Sequence, residues 1–169
     1  MSLLLRAYQT RDEVALIAFR GVSAELLLPP TGSVHLASIR LRALPTGGRT
    51  PLALALHRVA TLLLQRASTA SQCAAVPTLV VVSDGRAKVA LGSDDPFADA
   101  LGKARLLRAA GVGAIVVDTE DGPVRLERAR MLAAELGAAY VRLADLSAGV
   151  DRETALAAAV RDRQRRASR

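Results

Sequence analysis

Two short segments of this chain carry side chains of the kind that hold a hard cation. The first, Leu44-Pro45-Thr46-Gly47-Gly48-Arg49-Thr50-Pro51-Leu52, is a glycine-containing loop that presents a threonine hydroxyl where a helix is set to begin. The second, Val80-Val81-Val82-Ser83-Asp84-Gly85, is an apolar run that delivers an aspartate at its end. Magnesium takes about six oxygen ligands near 2.1 Å and keeps several waters, so hydroxyls and one or two carboxylates on separate loops suit it. Thr50 and Asp84 are ligands of that kind. Gly47 and Gly48 would let backbone approach a cation closely, Ser83 and Gly85 would shape the second loop, and Pro51 would fix Thr50 by starting the helix. Taken alone, the same residues also read as an ordinary helix N-cap and a Ser-Asp-Gly turn.

Other chemistry is thinner. Gly102-Lys103 lacks the upstream glycine and the following Ser or Thr of a phosphate loop, and Lys88 is the only other lysine, so ATP hydrolysis is not expected. Neither His35 nor His57 has a context that puts it beside a nucleophile, and both read as surface residues on helices. Cys73, alone in a small-residue loop, reads as an idle thiol. Asp118-Thr119-Glu120-Asp121-Gly122 gathers three carboxylates after an apolar run; they could supplement a cation site, and the plainer reading is a solvated acidic turn. Arg86 and Lys88 flank the second loop and could steer an acidic partner; a solvated strand edge is the equal alternative.

The elements that must position these residues alternate along the chain. Residues 14–19 and 26–28 read as strands, the second ended by Pro29-Pro30. Ser33 is a suitable N-cap for a helix over 34–43, and Leu52, Leu56, Val59 and Leu63 keep helical spacing to about Arg66. Residues 78–82, 114–117 and 139–143 are β-branched or apolar runs of buried-strand type, separated by helices that Asp95-Pro96 opens and that span 124–136 before Gly137. Residues 2–9 read as a helix end, and a terminal helix is expected over 152–161. Strands alternating with helices of such length imply βαβ units, a mostly parallel sheet with helices on both faces, and ligands at the carboxyl ends of the strands.

The bulk properties agree with one soluble domain. A chain of 169 residues, half of it apolar, can bury a core without disulfides or structural metal. Tyr8, Phe19, Phe97 and Tyr140 are the only aromatics, which disfavours base-stacking platforms. The single cysteine fits a reduced, cytoplasmic setting, and the apolar start closes too soon for a signal peptide or a membrane span. Arg161, Arg163, Arg165, Arg166 and Arg169, against Asp162, account for +4 of the net +7, so the charge sits mainly in a basic tail. A basic nucleic-acid-binding α/β domain is therefore one rival reading, requiring binding that weakens steeply with salt and is lost with the tail. A small doubly wound enzyme using Asp84 and Asp118 at adjacent strand ends is a second, and it would need a substrate pocket and a base that the sequence does not display.

Arg11-Asp12-Glu13-Val14-Ala15-Leu16-Ile17-Ala18-Phe19-Arg20-Gly21, Ala24-Glu25-Leu26-Leu27-Leu28-Pro29-Pro30-Thr31 and the 44–52 loop, in this order, resemble the von Willebrand factor A domain at the C-terminal end of the magnesium chelatase D subunit. With residues 80–88 the resemblance extends to about Leu146, leaving 147–169 as a C-terminal helix and basic tail. The resemblance implies a Rossmann-like domain whose metal-ion-dependent adhesion site holds Mg2+ and bridges to a carboxylate on a partner. It implies a non-catalytic interaction module of an ATP-dependent magnesium or cobalt chelatase, with an AAA+ motor subunit and a large chelating subunit as partners in tetrapyrrole biosynthesis. Within that family's pattern, the threonine matches Thr50 and the aspartate Asp84. The Asp-x-Ser-x-Ser strand of the family occurs nowhere in these residues. The expectation is therefore a fold whose first central strand is absent, a partial metal site of low affinity, unpaired strand edges open to oligomerisation, and a chain that is a fragment or a mis-started product.

Overall fold

The computed structural model describes residues 13–44, 49–69, 77–122 and 125–147. Gly47, Gly48, Cys73, the expected helices over 2–9 and 152–161 and the arginine tail lie outside the described residues.

β1 (Val14–Arg20) and β2 (Ser23–Thr31) form an antiparallel hairpin. Its turn holds Gly21 at φ 63°, a left-handed conformation that a side chain disfavours. β2 is longer than the expected 26–28: it runs through Pro29 and Pro30 to pair Thr31 with Val14. Proline costs nothing where a strand amide has no partner to serve, and β2 is an edge strand whose register shifts between Val14 and Leu16.

α1 (Val34–Arg42) starts as its sequence requires, with the Ser33 hydroxyl accepting from Leu36 N at 3.3 Å. It packs Ala37 onto Leu28, with Val14 and Leu16 beside them. α2 (Leu52–Thr69) follows Pro51 and buries Leu52, Ala53 and Leu56. It outlasts the expected end at Arg66 by a turn.

β3 (Thr78–Ser83), β4 (Gly113–Asp118) and β5 (Ala139–Arg142) pair in parallel in that order. The crossovers are α3 (Pro96–Ala109), capped by Asp95 on the amides of Phe97 and Ala98, and α4 (Arg128–Leu136). Gly102 and Lys103 lie inside α3, in helical backbone that cannot wrap a phosphate. α4 opens at Arg128, four residues later than the periodicity suggests, and ends at Gly137 in the left-handed conformation at φ 59°. Leu143 leaves the strand and begins a short helix, α5 (Leu143–Ser147).

The main core joins Leu52 and Leu56 of α2, Val81 of β3, Ala100, Ala104 and Leu107 of α3, Val116 of β4 and Leu132 and Leu136 of α4. It is aliphatic and alanine-rich, which lets helices lie close on the sheet. Phe19 of β1 packs against the same cluster, and α2 contacts both strands of the hairpin on one side and α3 on another. Among the described residues no strand joins β1 to β3, and the two sheets are separate. No described helix is long and apolar enough to cross a membrane.

Candidate functional site

The carboxyl ends of β3 and β4 lie level, because Ser83 pairs with Asp118 in an unbroken parallel register from Thr78 and Gly113. The chain leaves β3 through a tight loop. Ser83, buried, accepts from Gly85 N at 3.1 Å, and Asp84 accepts from Arg86 N at 2.9 Å. Gly85 adopts φ 74° and lies so close to the first turn of α4 that a Cβ there would fall 2.3 Å from Ala129 N.

That loop is fastened to the one bearing Thr50. Lys88 N donates to the Thr50 carbonyl at 3.0 Å, and Gly21 N donates to the Arg49 carbonyl at 2.9 Å. The turn of the hairpin, the threonine segment and the aspartate loop thus meet at one end of the molecule. Thr50 is half-buried just before the buried Pro51, where the start of α2 holds it. The backbone contact between the two segments is at Thr50 and Lys88, four residues beyond Asp84.

Asp84 is not idle there. Its side chain is 33% exposed, and its Oδ2 stands 3.6 Å from Arg86 Nε. Arg86 reaches on to Glu120, whose Oε1 lies 3.5 Å from Nη2. Lys88 points to solvent.

The reading of residues 118–122 as a solvated acidic turn is corrected by the structure. Asp118 is 2% exposed and Glu120's side chain 1%. Arg125 Nη2 donates to Asp118 Oδ2 at 2.8 Å, and the Tyr140 hydroxyl donates to the same oxygen. Glu120 N donates to Asp118 Oδ1 at 2.8 Å, and the Glu120 carboxylate accepts from Leu126 N at 3.0 Å. Buried carboxylates must be paired, and these are. Burial, then the hydrogen bond to Asp118, pushes the Tyr140 phenol above its ordinary range. Arg125 and Tyr140 were not singled out from sequence. The available signal was a tyrosine in an otherwise aliphatic strand, whose hydroxyl needs a polar partner when buried.

His35 and His57 are both exposed on helices, in agreement with their surface reading. Among the described residues no group of three or more His, Cys, Asp or Glu side chains is placed to hold a metal ion. Thr50 and Asp84 offer one hydroxyl and one carboxylate, hard-oxygen donors whose chemistry suits a magnesium ion that keeps most of its water.

No family model matches this sequence. The magnesium-chelatase 60 kDa subunit of Cereibacter sphaeroides is 42% identical over 145 residues, covering 83% of this chain and 25% of that protein. An uncharacterised protein of Methanocaldococcus jannaschii is 33% identical over 148 residues, covering 87% of this chain and 83% of that protein. In fold, the chain is similar to the crystal structure of the SpRpn10 VWA domain, with a TM-score of 0.55 at 11% identity over 83% of this chain and 72% of that one. The chain spans about a quarter of the length of the chelatase relatives it matches.

Proposed function

This chain belongs to the von Willebrand A-type family represented in the magnesium-chelatase 60 and 67 kDa subunits, and from that premise we propose that it is a non-catalytic docking module of a metal chelatase. Its partners would be the motor subunit and the large subunit of a complex that inserts magnesium, or cobalt, into a tetrapyrrole. The observation that carries the reading is the backbone bond from Lys88 to Thr50, which sets the threonine segment beside the aspartate loop at the carboxyl ends of the strands. Ligands of open α/β sheets gather at those ends.

In this reading the Thr50 hydroxyl and the Asp84 carboxylate hold one side of a hydrated Mg2+. When bound, the ion supplies a positive bridge to a partner's carboxylate. The chain's own part is to fix the two oxygens. Pro51 and the start of α2 hold Thr50, and Gly85 seats the Asp84 loop on α4. Ser83 braces the loop from inside. With few protein ligands, affinity for magnesium alone is low, and the partner's carboxylate raises it.

The test is retention of this chain by immobilised motor and chelating subunits, alongside magnesium titration of the chain by calorimetry. Weak binding of magnesium by the chain alone is expected. Retention that needs magnesium and is lost with EDTA, Thr50→Ala or Asp84→Asn supports docking through these residues. Tight magnesium binding by the isolated chain contradicts the partial site, and retention indifferent to EDTA and to Asp84→Asn refutes metal-mediated docking.

A further inference from the structure

Arg86 is the charged side chain nearest the Asp84 carboxylate among the ion pairs of the described residues. Its Nε stands 3.6 Å from Asp84 Oδ2 and its Nη2 3.5 Å from Glu120 Oε1, so one guanidinium spans carboxylates from the ends of two neighbouring strands. Glu120, its side chain 1% exposed, accepts from Leu126 N at 3.1 and 3.0 Å on its two oxygens. Fitted guanidinium–carboxylate pairs close to about 2.7–2.9 Å. Arg86 reaches neither carboxylate at that distance, and its Nε is buried with no hydrogen-bond acceptor. The guanidinium is held there by charge more than by fitted hydrogen bonds. Without it, one buried and one partly exposed carboxylate would face each other unneutralised, an arrangement that favours another cation.

We infer that Arg86 is the resident counter-cation of this strand-end site, that a divalent ion reaches Asp84 only by displacing it, and that Glu120 then shares the ion's charge. The inference rests on the reading of Asp84 as a metal ligand. It adds a consequence: the arginine released by the ion becomes available to an acidic partner surface, so that cation and partner binding reinforce each other.

Binding of Mn2+ to the full 169-residue chain, followed by the EPR signal of free Mn2+, tests this in the wild type, Arg86→Lys, Arg86→Gln, Asp84→Asn and the Asp84→Asn/Arg86→Gln double variant. Arg86→Gln should bind at least about tenfold tighter than the wild type, a factor equal to about 1.4 kcal/mol. Arg86→Lys, which keeps the charge, should stay near the wild type, and the double variant should lose the gain. Equal binding by the wild type and Arg86→Gln, abolished by Asp84→Asn, overturns the counter-cation role while leaving Asp84 as a ligand. A double variant that binds as tightly as Arg86→Gln, or no binding by any folded variant, overturns both. Should Arg86→Gln not fold, the 15Nε resonance of Arg86 in the wild-type chain decides: it should move during magnesium titration together with the Asp84 signals, and a stationary resonance overturns the inference.

Discussion

Replacing Gly85 by alanine measures how firmly the Asp84 loop is seated. Gly85 has φ 74°, and an added Cβ would lie 2.3 Å from Ala129 N, 2.6 Å from Arg128 C and 2.8 Å from Ala129 Cα. Two costs combine. The left-handed backbone costs an alanine about 1–2 kcal/mol. The contact is with backbone, so no rotamer relieves it; overpacking of this sort costs about 1–3 kcal/mol as β3 and α4 move apart. The sum, about 2–5 kcal/mol, is a large share of the roughly 5–15 kcal/mol that holds a domain folded. Gly21 provides the control. It has φ 63° with no atom within 4 Å of the added carbon, so Gly21→Ala carries the backbone cost alone. In urea unfolding followed by circular dichroism, with a slope of about 1–3 kcal/mol per molar, Gly85→Ala should lower the midpoint by about 1–2 M and Gly21→Ala by roughly half as much. Equal losses for the two variants would refute the close approach of the loop to α4 as what seats Asp84.

Asp118→Ala should cost about 3 kcal/mol in the same assay, because it strands the partly buried Arg125 guanidinium and leaves the Tyr140 hydroxyl without its acceptor. The double variant Asp118→Ala/Arg125→Met should recover part of that loss, and a strictly additive pair would count against the coupling. Asp99 accepts from the amides of Leu91, Gly92 and Ser93 at 2.6, 2.9 and 3.2 Å, and these bonds, Leu91's first, lower its pKa to about 2. Its folded value lies below the unfolded one of about 3.9, so its contribution is complete above about pH 4 and fades as pH falls through about 2. Carboxyl NMR titration reads this directly: a midpoint near 4 would contradict it, and Asp99→Asn should loosen residues 91–93 at neutral pH.

Much of the architecture was legible because it depends on local pattern. Ser33 and Asp95 cap helices where their side chains can reach free amides, Gly137 ends α4 in the conformation glycine tolerates, and the valine run at 80–82 forms a strand. Boundaries were less legible. Pro29 and Pro30 read as a stop, yet β2 continues because an edge strand does not need their amides. Leu143 reads as strand and starts a helix.

By itself the sequence determined the alternation of elements and the family resemblance, and proposed Thr50 and Asp84 as oxygen donors, since residue type and spacing encode these. Only the tertiary structure decided what surrounds them. The parallel register levels Ser83 with Asp118, which brings Glu120 to Arg86 across 34 positions and Tyr140 to Asp118 across 22. Whether an acidic stretch is solvated or buried depends on which distant chains cover it. Residues 118–122 carry the composition of an open turn, and Arg125, Tyr140 and Arg86 make part of it an interior ion-pair network.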